Sequence, residues 1–532
     1  MSSIVGLGRK DYKFSNWAKI FSCKPALYFQ PESVDQVVEL VKEASNSKTT
    51  LLTVGSGHSP SDLVMTDEWL VNLDKLNKVI NVERDPSGLF ADVTVEAGIR
   101  LYQLNEFLAE EGLALQNLGS ITEQSVAGVI STGTHGASPY HGLISQQYVN
   151  LTIVNGKGEI IFLDSKNNQD LFRAALLSLG KIGIIVKATI RTIAAFKIKS
   201  SEEVITFDEL LKKWETLWVH SEYLRVWWYP YAKKCVLWRG ERTNEPISVA
   251  PRKSWWGTTI GRTFYEALLW IAVNIYPPFT PIVEKFVFNR QFGSVETHGD
   301  GSFNIQPSVT SLSMDCLFSQ FVNEWAAPLN NGPEILRGLE HSINNAAINH
   351  EYYVHVPIEV RCSNTTFTNE IDNTPDLTNR TTISPGPIRG NNLRPLLDNT
   401  PKLNYAPLDD VTNSQLSLYI NATMYRPFFT NSPIGKWYKI FEEIMGAAGG
   451  KPHWAKNFIG NVEWSDLSKF EQKQDKDYYD GEMKGFGSKN REWFGEDLEL
   501  FKKLRKENDP NGVFLSSKDW AIRNGIVDIE DF

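Results

Sequence analysis

The pattern of apolar and polar positions up to about residue 194 predicts short strands alternating with helices. Residues 33–44 have the spacing of a helix, with Val37 and Val41 on its apolar side. Further strands are predicted at residues 50–54, 69–73, 92–97 and 148–154, and a further helix at residues 101–110. Asn155 and Gly156 predict a hairpin turn between two strands, because this dipeptide accepts the positive φ that such turns require. The pattern indicates an α+β domain.

The second part of the chain has a different character. Aromatic-rich strands, such as residues 223–229 and 234–239, alternate there with longer helices and irregular segments. Residues 365–402 are rich in Asn, Thr and Pro, which predicts a long exposed loop. We therefore predict two domains, residues 1–195 and 196–532, with the active site between them, where pockets prefer to form.

Residues 267–283 carry no charge and invite a membrane interpretation. Pro277, Pro278 and Pro281 interrupt the stretch well before the roughly 20 residues that a membrane-spanning helix needs. The simpler prediction is a buried helix that ends at these prolines. The alternative is a helix that lies in a membrane interface. Basic and aromatic residues just upstream favour that alternative, namely Arg252, Lys253, Trp255, Trp256 and Arg262.

Composition excludes several classes of protein. A net charge of −9 argues against nucleic acid as a partner, since binding a phosphate backbone requires a basic surface. The four cysteines are scattered, without the spacing of a zinc site, so we predict no metal and reduced thiols in an intracellular protein. The N-terminus lacks the apolar core of a secretory signal. At 532 residues, the chain is long enough for two or three domains.

Two glycine-rich segments carry the candidate chemistry. Residues 54–60 read Val-Gly-Ser-Gly-His-Ser-Pro, and residues 132–136 read Thr-Gly-Thr-His-Gly. Such small residues let backbone N–H groups approach a nucleotide closely. Neither segment fits the dinucleotide G-x-G-x-x-G fingerprint or the P-loop. The chain is therefore expected to bind a nucleotide cofactor in another way.

These segments resemble the FAD-binding domain of the vanillyl-alcohol oxidase family. Together with residues 116–120, 138–142, 357–361 and 453–456, they make the chain similar to the aldonolactone oxidoreductases of that family. The resemblance implies a two-domain α+β flavoprotein. Its FAD-binding domain, of PCMH type, would occupy residues 1–195, and an α/β substrate or cap domain would occupy residues 196–532, with the C-terminal tail packing back towards the flavin.

His58 is the residue that the resemblance assigns to a covalent bond with FAD. A neutral imidazole can attack the 8α-methyl carbon of an oxidised flavin, although a histidine in a glycine turn is more often structural when taken alone. The resemblance further implies that FAD contacts Val54, Gly55, Ser56, Gly57, Ser59, Gly119, Ser120, Ser125, Gly128, Thr132, Thr134, His135, Gly136 and Ile185.

Gly119 bears on the electron acceptor. In the family, the corresponding position faces the flavin edge that reacts with oxygen, and alanine blocks the path there. Glycine at this position therefore favours an oxidase over a dehydrogenase that uses cytochrome c or a quinone. A plain turn glycine is the simpler interpretation of the residue taken alone.

Glu359 and Arg361 are two residues apart, so on a strand their side chains share a face. Taken alone, such a pair is most often an ordinary ion pair on a sheet. The resemblance implies that Arg361 binds the lactone oxygens while Glu359 orients it. It also implies that Lys456 stabilises negative charge on the reduced flavin and that His453 shapes the pocket.

The expected reaction is FAD-dependent oxidation of a sugar-acid γ-lactone by O2, giving an ascorbate-like enediol and H2O2. D-Arabinono-1,4-lactone is the expected substrate, with L-galactono- and L-gulono-lactone as alternatives. Membrane-associated relatives imply a peripheral location at a mitochondrial membrane, expected to be the outer one. Another intracellular membrane or the cytoplasm is the alternative.

Overall fold

The computed structural model describes residues 4–248, 254–293, 303–314, 316–369, 387–460, 485–516, 518–528 and 531. The N-terminal strands are β1 (Phe14–Ser15), β2 (Ser22–Cys23), β3 (Leu27–Phe29), β4 (Leu51–Val54), β5 (Trp69–Asn72), β6 (Val79–Arg84), β7 (Ala91–Glu96), β8 (Leu113–Ala114), β9 (Tyr148–Val154), β10 (Ile160–Asp164) and β11 (Ile184–Ala194). The helices among them are α1 (Val34–Ser47), α2 (Leu101–Glu110), α3 (Val126–Ser131) and α4 (Gln169–Ala175). The predicted alternation of strands and helices is confirmed.

Helix α1 forms because its sequence supplies both a cap and an apolar face. The Ser33 side chain accepts a hydrogen bond from the Gln36 N–H, which satisfies a backbone donor at the first turn. Val37, Val41 and Ala44 are buried on one side. They belong to a core shared with the parallel sheet β3–β5–β4. Strand β4 of this sheet leads directly into the glycine-rich segment at residues 54–60.

An antiparallel sheet in the order β10–β9–β11–β7–β6 forms the rest of this region, with β8 paired to β11. The predicted hairpin joins β9 to β10 and pairs Val154 with Ile160. The positive φ was predicted for the Asn155-Gly156 dipeptide, but Gly158 adopts it, at +73°. Gly156 serves another purpose. A Cβ atom there would lie 2.1 Å from the Asp509 carboxylate, so only glycine fits.

The second part of the chain builds one antiparallel sheet in the order β15–β12–β14–β13–β17–β18–β16–β19. Its strands are β12 (Lys197–Thr206), β13 (Tyr223–Tyr229), β14 (Lys234–Thr243), β15 (Asn304–Pro307), β16 (Gln320–Pro328), β17 (Ile358–Ser363), β18 (Ser417–Tyr425) and β19 (Lys451–Pro452). The helices are α5 (Phe207–Lys212), α6 (Trp214–Leu217), α7 (Thr259–Asn274), α8 (Thr280–Phe292), α9 (Ser308–Leu312), α10 (Gly332–Ile348), α11 (Gly435–Ala447), α12 (Gly487–Phe494), α13 (Glu496–Asn508) and α14 (Lys518–Arg523).

The described part of residues 365–402 is a loop without helix or strand, as predicted, but most of it is buried rather than exposed. Asn391 is fully buried, and its side-chain amide donates hydrogen bonds to the carbonyl oxygens of Ser145 and Tyr148. The Gln116 side chain similarly donates to the Ile388 carbonyl at 2.8 Å. The polar residues of this segment therefore form hydrogen bonds with buried groups of the protein rather than with solvent. Residues 370–386 of the predicted loop lie outside the described residues.

The uncharged stretch 267–283 is divided between α7 and α8, with the prolines around the break and at the start of α8. Leu269 is buried, whereas Ile260 and Ile275 are 76% and 65% exposed. The prediction of a buried helix is therefore correct for only one face. None of the described helices is long and apolar enough to cross a membrane. Trp255, Trp256 and Arg262 are described, while Arg252 and Lys253 lie outside the described residues.

The C-terminal tail returns to the first domain. Asp509 accepts hydrogen bonds from the backbone N–H groups of Val513 and Phe514, which makes a turn after α13. The Val513 carbonyl then accepts from the Leu51 N–H at 2.8 Å. The buried Lys181 ammonium also donates to the Phe514 carbonyl at 3.1 Å. The tail is thus attached to β4, the strand that positions residues 54–60.

Candidate active site

A cavity of about 510 Å³ lies between the glycine-rich segments and the large sheet. Its first wall includes Val54, Gly55, Ser56, Gly57, His58, Ser59, Gly119, Ser120, Ser125, Gly128, Thr132, Thr134, His135 and Ile185. Its second wall includes Gln320, Val322, Glu324, Glu359, Arg361, Asn421, Thr423, His453 and Lys456. The fold therefore brings both sets of predicted site residues to one space.

Gly136 is the exception among the predicted site residues. A Cβ atom on Gly136 would lie 2.1 Å from the Asn117 side-chain oxygen, so the residue packs against Asn117, outside the cavity wall. Thr132, Thr134 and His135 of the same segment do line the cavity. Which of its residues face the cavity depends on the turn that follows His135, and residue spacing does not encode that turn.

The backbone and hydroxyl groups of the first wall are suited to binding a nucleotide. Gly57 adopts a φ of +70°, and a Cβ on Gly55 would lie 2.5 Å from the Ser125 hydroxyl. The Asn72 side chain fixes the Gly55 carbonyl with a 3.1 Å hydrogen bond. The buried Ser120 hydroxyl has no hydrogen-bond partner among the described residues. A tight backbone turn beside an unsatisfied hydroxyl fits FAD.

His58 is held in a defined orientation at this wall. Its Nδ1 lies 2.8 Å from the Ser56 hydroxyl, and its ring stacks on Trp17 with 5.8 Å between the centroids. Burial lowers the pKa of His58 below its ordinary value. The imidazole is therefore neutral near pH 7, which leaves a ring nitrogen able to act as a nucleophile.

Gly119 leaves no room for a larger residue. A Cβ atom there would lie 2.7 Å from the Thr134 Cγ2 atom and 3.5 Å from the Gln124 side-chain oxygen. An added methyl group would therefore displace Thr134 as well as occupy cavity space. Any effect of Gly119→Ala combines these two causes.

The second wall is one face of the large sheet. Side chains alternate across a strand, so Glu359 and Arg361 of β17 face the cavity together, as predicted. Asn421 and Thr423 of the neighbouring β18 lie on the same face, with Asn421 in register with Glu359. Gln320 and Val322 of β16 continue the row.

Arg361 pairs more closely with Glu324 than with Glu359, the partner expected from the sequence. Its Nη2 lies 2.5 Å from Glu324 Oε1, whereas its Nε lies 3.4 Å from Glu359 Oε2. Glu359 Oε1 is buried and has no hydrogen-bond partner among the described residues. Glu324 therefore anchors Arg361, and Glu359 keeps an oxygen available to a ligand.

Glu324 is the functional candidate that sequence reasoning missed. Its Oε2 lies 3.2 Å from the Lys456 ammonium, and its Oε1 lies 3.3 Å from His135 Nε2. Burial raises the pKa of Glu324, but Lys456, Arg361 and His135 more than offset this and hold the pKa well below its ordinary value. No motif surrounds Glu324. The available signal was an acid facing the same side as apolar strand residues such as Val322.

His135 and His453 complete the charged end of the cavity. The His135 ring stacks on Tyr419 with 3.4 Å between centroids, and its Nδ1 lies 3.0 Å from the Gly136 carbonyl. Burial lowers the pKa of His453 to about 3. Candidate ligand atoms of His135, Glu324 and His453 lie within 4.8 Å of one another, a spacing that could hold a metal ion. Because both Glu324 oxygens already face cations, we assign no metal there.

Two long segments of the chain match known family models. Residues 188–524 match the family model for D-arabinono-1,4-lactone oxidase. The chain belongs to the D-arabinono-1,4-lactone oxidase family. Residues 25–164 match the model of an FAD-binding domain, so FAD is the cofactor. The resemblance to aldonolactone oxidoreductases is confirmed.

Relatives within this family match over nearly the whole chain. The D-arabinono-1,4-lactone oxidases of Kluyveromyces lactis and Saccharomyces cerevisiae are each 62% identical to it. The alignments cover 99% of both chains in the first case and 98% of both in the second. The enzyme of Candida albicans is 52% identical, with 96% of each chain covered.

Solved structures with the same fold include a solvent-stable cholesterol oxidase, with a TM-score of 0.69 and 16% sequence identity. The match covers 96% of this chain and 97% of that chain. Cholesterol oxidase from B. sterolicum has a TM-score of 0.70 at 14% identity, with 96% of each chain covered. At these identities the likeness concerns the fold alone. The predicted vanillyl-alcohol oxidase-type, two-part α+β architecture is confirmed.

Proposed function

We propose that this chain is an FAD-dependent oxidase that converts D-arabinono-1,4-lactone and O2 to dehydro-D-arabinono-1,4-lactone, that is D-erythroascorbate, and H2O2. One observation carries the proposal: the FAD-binding segments and the polar face around Glu359, Arg361 and Lys456 line the same cavity. When bound, FAD would supply a two-electron acceptor for the hydride from the lactone CH–OH group, whose proton would go to a protein group or water, and O2 would take up the electrons as H2O2.

The second wall suits a polyhydroxylated lactone. Arg361 and Lys456 provide fixed positive charge for the lactone oxygens and for negative charge that develops during the reaction. The free Glu359 oxygen can accept a hydrogen bond from a substrate hydroxyl. Gln320, Asn421 and Thr423 add polar groups along the same face. His453, neutral at pH 7 because of its burial, shapes the pocket without adding charge.

Anaerobic addition of D-arabinono-1,4-lactone to the purified protein tests the reaction. We expect the flavin absorbance at about 450 nm to bleach and then to return in air with formation of H2O2. Equal trials with L-galactono- and L-gulono-lactone rank the substrates. Absence of bleaching with all three lactones would refute the proposed substrate class.

We further propose that FAD is bound covalently through His58. The support is the stacked, neutral imidazole in the first wall. Acid precipitation tests the bond: yellow colour should remain in the wild-type pellet and move to the supernatant for His58→Ala. Ser56→Ala retains the imidazole but removes its 2.8 Å contact, so its pellet should remain yellow. Release of flavin from wild-type protein would contradict the proposal.

The alternative acceptor is cytochrome c or a quinone, which would make the chain a dehydrogenase. Gly119 lines the cavity without a side chain, which supports O2 as the acceptor. Reoxidation of bleached protein separates the two. Recovery in air within seconds supports the oxidase, whereas recovery only after cytochrome c or quinone is added supports the dehydrogenase.

We also propose that the protein associates peripherally with a membrane, at the mitochondrial outer membrane. The support is an exposed apolar surface formed by one face of α7 and by α8, with Ile260, Phe264, Ile271, Ile275, Ile282 and Phe286. Such a face, when it is contiguous, marks an interaction site, and an amphipathic helix can lie in the headgroup region.

Flotation with phosphatidylcholine vesicles tests membrane binding. Ile260→Asp/Ile275→Asp should lower the bound fraction about tenfold, because each aspartate removes apolar burial and adds charge. Ile348→Asp, a 74% exposed position at the end of α10, is the matched control. Equal binding by all three proteins would contradict a role for α7. Protease treatment and carbonate extraction of isolated mitochondria would test the compartment separately.

A further inference from the structure

Glu324 lies at the meeting point of three side chains that line the cavity. It is 1% exposed and sits on β16, in register with Asn421 of β18. Its carboxylate contacts Arg361, Lys456 and His135 at 2.5, 3.2 and 3.3 Å. Its backbone carbonyl also accepts a hydrogen bond of 2.8 Å from the His453 N–H. The residues that Glu324 joins come from three separate parts of the chain, namely His135, Arg361 and residues 453–456.

The charges of the acidic, lysine and arginine side chains that line this end of the cavity balance. Arg361 and Lys456 contribute two positive charges, and Glu324 and Glu359 contribute two negative charges. Glu359 contacts Arg361 at 3.4 Å through one oxygen. Glu324 is the carboxylate close to both cations, with one oxygen for each. Buried charges separated by a few ångströms interact strongly, because little water screens them.

We propose that Glu324 is a positioning residue, which holds Arg361 and Lys456 at the cavity wall and offsets their positive charge at the flavin. This inference rests on the proposed function only where it involves the lactone. The ion pairs of Glu324 and the presence of FAD do not depend on which substrate is oxidised. Removing the charge of Glu324 while keeping its shape should make the site more positive. Removing the charge of Lys456 should make it more negative.

Sulfite provides a readout that does not require lactone turnover. It adds reversibly to oxidised flavin, bleaches it, and leaves negative charge on the ring, so its affinity reports the electrostatic field there. Glu324→Gln should lower the sulfite dissociation constant about tenfold and raise the flavin midpoint potential, while Lys456→Met should shift both in the opposite direction. The double variant Glu324→Gln/Lys456→Met should return towards the wild-type value.

Glu442→Gln is the control for loss of a buried carboxyl group beside β16. Burial raises the pKa of Glu442 to about 8, so this variant changes the carboxyl group with little change of charge at pH 7. Glu442 is a buried carboxylate on α11 that accepts a 2.7 Å hydrogen bond from Asn323, the neighbour of Glu324 on β16. It forms no ion pair within the described residues, and it does not line the cavity. Its substitution removes a carboxylate beside the same strand without changing the balance at Arg361 and Lys456. We expect its sulfite affinity to stay within about twofold of wild type.

Several outcomes would overturn the inference. Sulfite affinity in Glu324→Gln that is unchanged or weaker than wild type would exclude the charge effect, as would a double variant more perturbed than both single variants. If Glu324→Gln loses flavin, Glu324→Asp distinguishes a need for negative charge from a purely structural role of Glu324. Flavin retained with near wild-type sulfite affinity would support the need for a negative charge, and flavin lost there too would show a purely structural role. If wild-type protein fails to oxidise lactone, only the proposed function fails, because sulfite still measures Glu324.

Discussion

The Ser59 hydroxyl donates a 2.7 Å hydrogen bond to the Ala455 carbonyl, across 396 residues of chain. Ser59 follows His58, and Ala455 precedes Lys456, so this bond joins the proposed flavin attachment segment directly to the proposed substrate wall. The Asn457 side chain reinforces the connection with a 2.9 Å hydrogen bond to the Pro60 carbonyl. The position of His58 is therefore set partly by the second domain.

Ser59→Ala should lower the free energy of unfolding by about 1–2 kcal/mol, because it removes the hydrogen bonds of the Ser59 hydroxyl with the Ala455 carbonyl and the Ser61 hydroxyl. It should also slow covalent incorporation of FAD, since His58 loses a nearby anchor. Thermal unfolding and the time course of acid-stable flavin measure the two effects. Ser47→Ala, at the exposed end of α1, serves as a control. Equal incorporation rates in both variants would contradict the coupling.

Gly119→Ala should slow both flavin reduction and reoxidation, because the new Cβ meets Thr134 Cγ2 at 2.7 Å. Thr134→Ser removes that methyl group. Stopped-flow measurements on Gly119→Ala/Thr134→Ser therefore separate packing from oxygen access. If alanine obstructs oxygen, the double variant should recover lactone reduction while reoxidation stays about tenfold or more below wild type. Recovery of both steps would attribute the whole effect to packing.

Arg361→Ala should destabilise the protein by about 3–5 kcal/mol, because it removes the buried cation that contacts both Glu324 and Glu359. It should also lower kcat/KM for the lactone about 100-fold or more, through loss of a fixed positive charge. Arg337→Ala is the matched control, since Arg337 also pairs with two acids, Asp208 and Glu340, but is half exposed. Its expected cost is below about 1 kcal/mol. Similar denaturation midpoints for the two variants would contradict the prediction.

Lys181 should make stability depend on pH. Burial lowers its pKa from 10.5 to about 7. Below pH 7 the folded and unfolded states both hold the proton, and folding carries the full burial cost. As pH rises from about 7 towards 10.5, the folded state has lost the proton that the unfolded state still holds, so stability increases. The Tm of wild type minus that of Lys181→Met should therefore rise over this range.

Lys10→Met, at an exposed position, is the control for the pH series and should show a constant difference from wild type. A constant difference for Lys181→Met as well would mean that the Phe514 carbonyl and nearby Asp509 keep the ammonium charged.

Local sequence determined several elements without help from the rest of the fold. Helix α2 spans Leu101–Glu110 as predicted, because its apolar residues recur at helical spacing. Residues 54–60 form a tight turn because glycine accepts the positive φ at Gly57. Glu359 and Arg361 share a face because a strand alternates its side chains. Each of these properties depends on neighbours within a few residues.

Tertiary structure alone decided which distant groups meet. Glu324 lies 37 residues before Arg361, and no periodicity relates the two; the strand order β17–β18–β16 brings them together. The burial of Asn391 likewise depends on carbonyl oxygens more than 240 residues away. Composition reports the polarity of such residues but cannot say whether water or a buried backbone group will satisfy them. The pairing of strands far apart in the chain determines that choice.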